Sequence, residues 1–196
     1  MDPKLYRILK WTAILIAVLV VGTTIFQMIE EEYSGVSGLA FKTGHLRLED
    51  GKFDDALENF DEALKIDPED HNAVFGRALS LMGLNRNKEA LIGLTRAITI
   101  NPDFAPAYAN RGILHDRMGF YEEAIKDYRQ ALKLDATMGD GPGYITRFFR
   151  AQYEKPPTIV DRAMYLENEL KKPIGKRVLR KPELDAKERS YKVEAD

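Results

Sequence analysis

Apolar positions along this chain follow three different patterns. No charged residue occurs over 11–29, and 13–21 is an unbroken apolar run apart from its small alanines. A helix through those 19 residues rises roughly 28 Å, close to the ~30 Å hydrocarbon core of a bilayer, which predicts an uncleaved transmembrane anchor. A cleaved signal peptide is the rival reading. The sequence from Val21 to Phe26 offers it no small-x-small cleavage site. Residues 1–10 then form a short cytoplasmic segment and 30–36 a short linker.

From 37 to 136 the apolar positions take on helical spacing and repeat with a period of 34 residues. Ala56, Ala90 and Ala124 share a column, as do Ala63, Ala97 and Ala131. Between them stand Phe60, Leu94 and Tyr128. Upstream, Gly44, Ala78 and Gly112 fall in register, one turn after Ala40, Val74 and Tyr108. Small residues seven apart on one helix face let a neighbouring helix approach, and the large residue between them fills the crossing. Asp67-Pro68 and Asn101-Pro102 close two units, and Gly51, Asn85 and Gly119 mark the turn inside each hairpin. The units read as 37–70, 71–104 and 105–136.

The third pattern is a pair of shorter amphipathic segments. After Gly141-Pro142-Gly143, Ile145, Phe148 and Phe149 recur at helical spacing. After Lys155-Pro156-Pro157, Thr158 with Asp161 predicts a capped helix whose inner face carries Ile159, Ala163, Leu166 and Leu170. Together 142–171 predicts a degenerate capping hairpin for the exposed end of the third unit, since a stack of repeats needs its ends covered. The remainder, 172–196, is basic and then mixed in charge, and reads as a solvated, partly disordered tail. The fold class is therefore all-α: one transmembrane helix, three helical hairpins in a superhelix, and capping helices.

The columns over 37–136 resemble the tetratricopeptide repeat (TPR) family. The small-large-small triad recurs in phase three times, with the closing proline in two of three units. The first helices depart from the family pattern: no Trp stands with Ala40, Val74 and Tyr108, and Thr43, Arg77 and Arg111 hold a column usually given to Leu. Ala136 replaces the third proline. The resemblance implies a concave groove lined by the first helix of each unit, which holds a peptide or helix. Carried over by column, its candidates are Phe41, His45, Leu48 and Glu49, then Asn72, Phe75, Leu79 and Met82, then Ala109, Ile113, Asp116 and Arg117. Most are apolar, so the implied ligand is an apolar or amphipathic helical segment. The alternative is that some of these side chains are core, or are covered by the chain's own helix over 158–170. Family members that clamp acidic C-termini use Lys, Arg and Asn at columns that here read Phe41, His45, Gly76, Pro106 and Asn110, and only Asn110 could serve.

Charge and composition narrow the function further. Lys4, Arg7 and Lys10 precede the apolar run and Glu30, Glu31 and Glu32 follow it, which predicts a cytoplasmic N-terminus and a periplasmic repeat domain at a bacterial inner membrane. A mitochondrial outer-membrane anchor is the lesser alternative. The short linker, 30–36, holds the repeats near the bilayer, so the expected partner is a membrane protein or a segment emerging from the membrane. The formal net charge of −2 gives no reason to expect nucleic acid.

The absence of cysteine removes disulfides, thiolate nucleophiles and Cys-based metal sites. His45, His71 and His115 lack metal-ligand spacing, Asp54-Asp55 and Glu122-Glu123 sit where helix starts favour acids, and Gly141-Pro142-Gly143 has no phosphate-loop context. No catalytic residue, metal or cofactor is expected. The sequence predicts a membrane-tethered scaffold or assembly adaptor, or alternatively a permanent accessory subunit of a larger membrane complex.

Overall fold

A computed structural model describes residues 3–140 and 157–180, and the segments between and beyond them lie outside the described residues. Seven α-helices are described: α1 (Pro3–Glu49), α2 (Phe53–Ile66), α3 (His71–Gly83), α4 (Asn87–Ile100), α5 (Ala105–Met118), α6 (Tyr121–Leu134) and α7 (Ile159–Leu170). Short 3₁₀ turns follow α6 at Ala136–Gly139 and α7 at Ile174–Lys176. Consecutive helices pack antiparallel, and each hairpin stacks on the one before it. The described part is all-α, as the hydrophobic pattern predicted.

Each hairpin turns where the chain needs a left-handed residue. Gly51 (φ 72°), Asn85 (φ 60°) and Gly119 (φ 85°) occupy the equivalent position in the three units, a conformation that costs Gly and Asn least. The units also end alike. Asp67, Asn101 and Asp135 leave the helix with extended φ, and each side-chain oxygen accepts the backbone N–H two residues on, at 3.0, 3.1 and 2.9 Å. This shared Asx turn explains why Ala136 can stand where the other units have proline: the side chain of Asp135 makes the turn by itself.

The core follows the 34-residue columns. Ala56, Ala63, Ala90, Ala97, Ala124 and Ala131 are fully buried, and so are Phe60, Leu94 and Tyr128 between them. The aromatic rings need notches in the facing helices. A Cβ on Gly44 would stand 3.1 Å from the Phe60 ring, and one on Gly76 only 2.3 Å from it. Gly112 offers the same notch to Tyr128, at 2.7 Å. The predicted capping helix is present as α7. Thr158 and Asp161 form the reciprocal capping box, and Ile159, Ala163 and Leu166 are buried against the last unit. Its proposed partner over 142–156 lies outside the described residues.

Two expectations are corrected at the N-terminal end. The span over 11–29, and with it the inner-membrane placement with a periplasmic repeat domain, does not stand. Among the described residues no helix is long and apolar enough to cross a membrane. The predicted linker at 30–36 is not a break either, because α1 runs through it unbroken into the first repeat.

Phe60 makes the packing testable. Gly76→Ala should destabilise the chain by about 1–3 kcal/mol, because the added methyl meets a fully buried ring. Phe60→Leu introduced beside it should recover part of that loss in urea denaturation. Effects of the two changes that simply add within about 0.5 kcal/mol would show that the ring is not the cause.

Candidate functional site

The first helices α1, α3 and α5 carry the twelve groove candidates, and the structure divides these by accessibility. Leu48, Phe75, Leu79, Met82, Ala109, Ile113 and Asp116 are buried; Phe75 is 2 % exposed and Leu79 5 %. Phe41, His45 and Asn72 are half-buried, while Glu49 and Arg117 are exposed. The apolar middle of the implied groove is therefore core. Phe75 meets the edge of Phe104 at a centroid distance of 5.1 Å, and Phe104 in turn packs against His71 at 4.9 Å. Phe41 packs edge-on to Phe60 at 5.8 Å and lies beside His45. The accessible rim is a short polar and aromatic strip at the first two units.

The end of the groove nearest the C-terminus is closed by the chain itself. Arg162 on α7 reaches Asp116 on α5 with two hydrogen bonds, Nε to Oδ2 at 2.5 Å and the second guanidinium nitrogen to Oδ1 at 2.8 Å. Its guanidinium also donates to the carbonyl of Leu179 at 3.0 Å. The chain after α7 doubles back along that helix. Tyr165 donates to the carbonyl of Val178, Glu169 accepts the N–H of Val178 at 2.9 Å, and Arg177 donates to the carbonyls of Leu170 and Lys172. Arg180 then donates to the carbonyl of Arg117. Residues 171–180 are thus tied to α5 and α7 by hydrogen bonds while staying mostly exposed to solvent, Ile174 at 82 %. No helical or strand periodicity marks 171–180, so the sequence pattern gave no sign of it.

The unusual arginine column also finds its reason here. Arg77 pairs with Asp61 of the preceding hairpin at 2.6 Å. Arg111, one period on, donates twice to Asp127 at 2.7 and 2.8 Å and reaches Thr95, in the Asp61 column, at 3.5 Å. His115 Nδ1 lies 3.0 Å from the same Asp127 carboxylate. Burial pushes the Asp127 carboxyl upward, but hydrogen bonds and positive charge from His115 and Arg111 outweigh it and hold the group below the usual carboxylate range.

Among the described residues no constellation suited to catalysis is assembled around the histidines or the acid pairs. His45 sits beside Phe41, His71 shares a 3.2 Å hydrogen bond with Asn101, and His115 faces Asp127, so the three histidines are dispersed. Among the described residues no group of His, Cys, Asp and Glu could hold a metal ion. The acid pairs Asp54-Asp55 and Glu122-Glu123 lie in the first turns of α2 and α6, where they complement the helix dipole.

Family models described as tetratricopeptide repeat match residues 41–106 and 105–138. The DnaJ homolog subfamily C member 7 homolog of Dictyostelium discoideum is 34% identical over 103 residues, 50% of this chain and 19% of that protein. The Protein STIP1 homolog of the same organism is 33% identical over 85 residues, 43% of this chain and 15% of that protein. The chain thus spans less than a fifth of either relative. Among solved structures, the first TPR of Spaghetti (RPAP3) bound to the HSP90 peptide SRMEEVD has a TM-score of 0.57 at 19% identity, covering 71% of this chain and 96% of that one. The Arabidopsis OM64 TPR domain has a TM-score of 0.51 at 24% identity, covering 53% and 86%. At these identities the likeness concerns the fold.

Asp127 gives the site a pH signature. Its depressed folded value means that the unfolded chain binds more protons in acid, so its stabilisation is complete above the unfolded value of about 3.9 and is lost as pH falls through the folded one. Asp127→Asn should cost about 2 kcal/mol at pH 7 by leaving Arg111 and His115 without their carboxylate. Urea midpoints measured from pH 7 down to pH 2.5 should show the gap between parent and variant closing at the acid end. A gap independent of pH would exclude the ionised carboxylate as its source.

Proposed function

Because this chain belongs to the tetratricopeptide repeat family through residues 41–138, we propose that it is a non-catalytic adaptor holding one segment of a partner protein along the first helices of its repeats. The segment is apolar or amphipathic and helical, and the role is that of a scaffold or assembly factor. The matched DnaJ and STIP1 homologs favour a chaperone-type setting for it.

The observation that carries this reading is what stands at the columns where carboxylate-clamping family members use Lys, Arg and Asn. Phe41 turns its ring onto Phe60. Gly76 has no room for any side chain against that same ring, which would lie 2.3 Å from its Cβ. Asn110 is fully buried, and its amide donates to the Pro106 carbonyl at 2.8 Å. No lysine or arginine is present among Phe41, His45, Gly76, Pro106 and Asn110, so an acidic tail would lose its hydration without gaining a partner charge. An apolar side chain laid against Phe41, His45 and Asn72 has no such penalty and would remove further aromatic surface from water.

Titration with the peptide SRMEEVD separates the two ligand classes. No saturable binding is expected up to about 1 mM, a free energy weaker than about −4 kcal/mol. A photo-cross-linking residue placed at Phe41 or Asn72 of the full chain should capture a partner, and one at the exposed Ile92 on α4 should not. Micromolar binding of the acidic peptide, or equal capture from all three positions, would overturn the assignment.

A further inference from the structure

The segment after α7 is held in the manner of a bound peptide. From Arg177 its backbone is extended (φ −77°, ψ 133°), and burial alternates along it: Arg177 and Leu179 are half-buried, Val178 and Arg180 exposed. An extended chain turns successive side chains to opposite sides, so Leu179 faces the protein and packs against its core. The main chain of this strap is read by side chains of α7. Buried Glu169 accepts the N–H of Val178 at 2.9 Å, while its second oxygen accepts from Lys172 at 2.6 Å. The Tyr165 hydroxyl donates to the carbonyl of Val178, and Arg162 donates to that of Leu179 at 3.0 Å. Arg162 is itself fixed by its two bonds to Asp116 and by the Tyr165 ring, 5.5 Å away. Arg180 then donates to the carbonyl of Arg117 in the last turn of α5, where carbonyls lack intrahelical donors and the helix dipole is negative.

These contacts are undemanding of sequence. Three of them meet backbone groups, which any extended segment can offer, and main-chain bonds of this kind give a peptide site its affinity while side-chain positions give its preference. The preference here is an apolar residue in the place of Leu179 and a cation directly after it. The hold on the strap is also shallow. Residues 171–176 are all exposed, and Val178 is 50 % exposed, so little apolar burial adds to the hydrogen bonds. The net gain from a handful of hydrogen bonds is offset by the ordering of the residues that make them. A segment held this way exchanges with another of the same chemistry.

We propose that α7 and the C-terminal end of α5 form a peptide-binding site, filled in cis by residues 177–180, which takes an extended segment of a partner carrying an apolar residue followed by Lys or Arg. The site lies on the third unit, whereas Phe41 and Asn72 belong to the first two, and it reads an extended backbone instead of a helix face. It therefore stands whether or not a helical segment is held along the first helices. The strap competes with any such partner. A short tether keeps it at a local concentration on the order of 1 mM, so an incoming segment must bind well or find the strap already lifted. Residues 171–180 thus act as an autoinhibitory element of this site.

A peptide added in trans tests this. The probe is a fluorescein-labelled, C-terminally amidated copy of residues 174–180, IGKRVLR, followed by anisotropy. In the full chain, Val178→Pro/Arg180→Ala removes the strap's N–H donor and its cation and leaves Tyr165, Glu169 and Arg162 in place. That variant should bind the probe saturably at about 100 µM or below. The parent should bind at least about tenfold more weakly, the factor set by a tethered competitor on the order of 1 mM. Arg180→Ala alone, a change to one exposed side chain, should fall between the two. Adding Tyr165→Phe to the double variant should weaken the probe roughly fivefold through loss of one donor. Probes carrying Val178→Pro or Arg180→Glu should show no saturation up to about 1 mM. Equal affinity of parent and double variant would overturn the self-occupancy, and full binding of the Arg180→Glu probe would overturn the basic ligand class. Absence of binding to a double variant whose helical circular dichroism matches the parent would sink the site itself. Should that variant lose its helical signal, Arg180→Ala decides, and an affinity equal to the parent's would overturn the proposal.

Discussion

The stack rests on large rings seated in backbone notches. Phe60 is fully buried because Gly44 on one side and Gly76 on the other present bare backbone to it. Tyr128 meets the bare backbone of Gly112 in the same way two hairpins later. Leu94, the middle member of the column, is smaller, and Ala78 stands in the column where the other two units have Gly44 and Gly112. Ring size and notch depth thus change together along the column. The helices can come close only where both are right, and the superhelix inherits its regularity from that matching rather than from any one strong bond.

This explains why so much of the repeat region was legible in advance. A notch and its filler recur every 34 residues, and periodicity is the one signal a single sequence displays without an alignment. The turns were equally readable, since Gly51, Asn85 and Gly119 answer a local backbone demand. The capping box at Thr158 and Asp161 is local too. Contacts made once, between distant residues, left no such trace. The link from Arg162 to Asp116 joins residues 46 apart and has no counterpart in the other units. The course of 171–180 depends on Tyr165, Glu169, Arg177 and Arg180 each finding a backbone group, which no composition rule announces.

The groove shows the limit of transferring columns between relatives. Column position located the first helices correctly, but it does not say how deep the groove is. Phe75, Leu79 and Met82 are large side chains on one helix, and they pack into the interior instead of lining an open channel. The N-terminal apolar run misled for a different reason. Length and hydropathy were read as a separate element with a linker behind it, whereas α1 continues without a break into the first hairpin.

Continuity of α1 ties the facing of the repeats to a count of residues. At about 100° of rotation and 1.5 Å of advance per residue, inserting one residue between Ile25 and Leu39 would swing the whole repeat array by more than a quarter turn about the rod while moving it hardly at all along it. Seven inserted residues would restore the facing and lengthen the rod by about 10 Å. The segment behaves as an axle rather than a tether, so azimuth, more than reach, is the quantity that its length in residues sets.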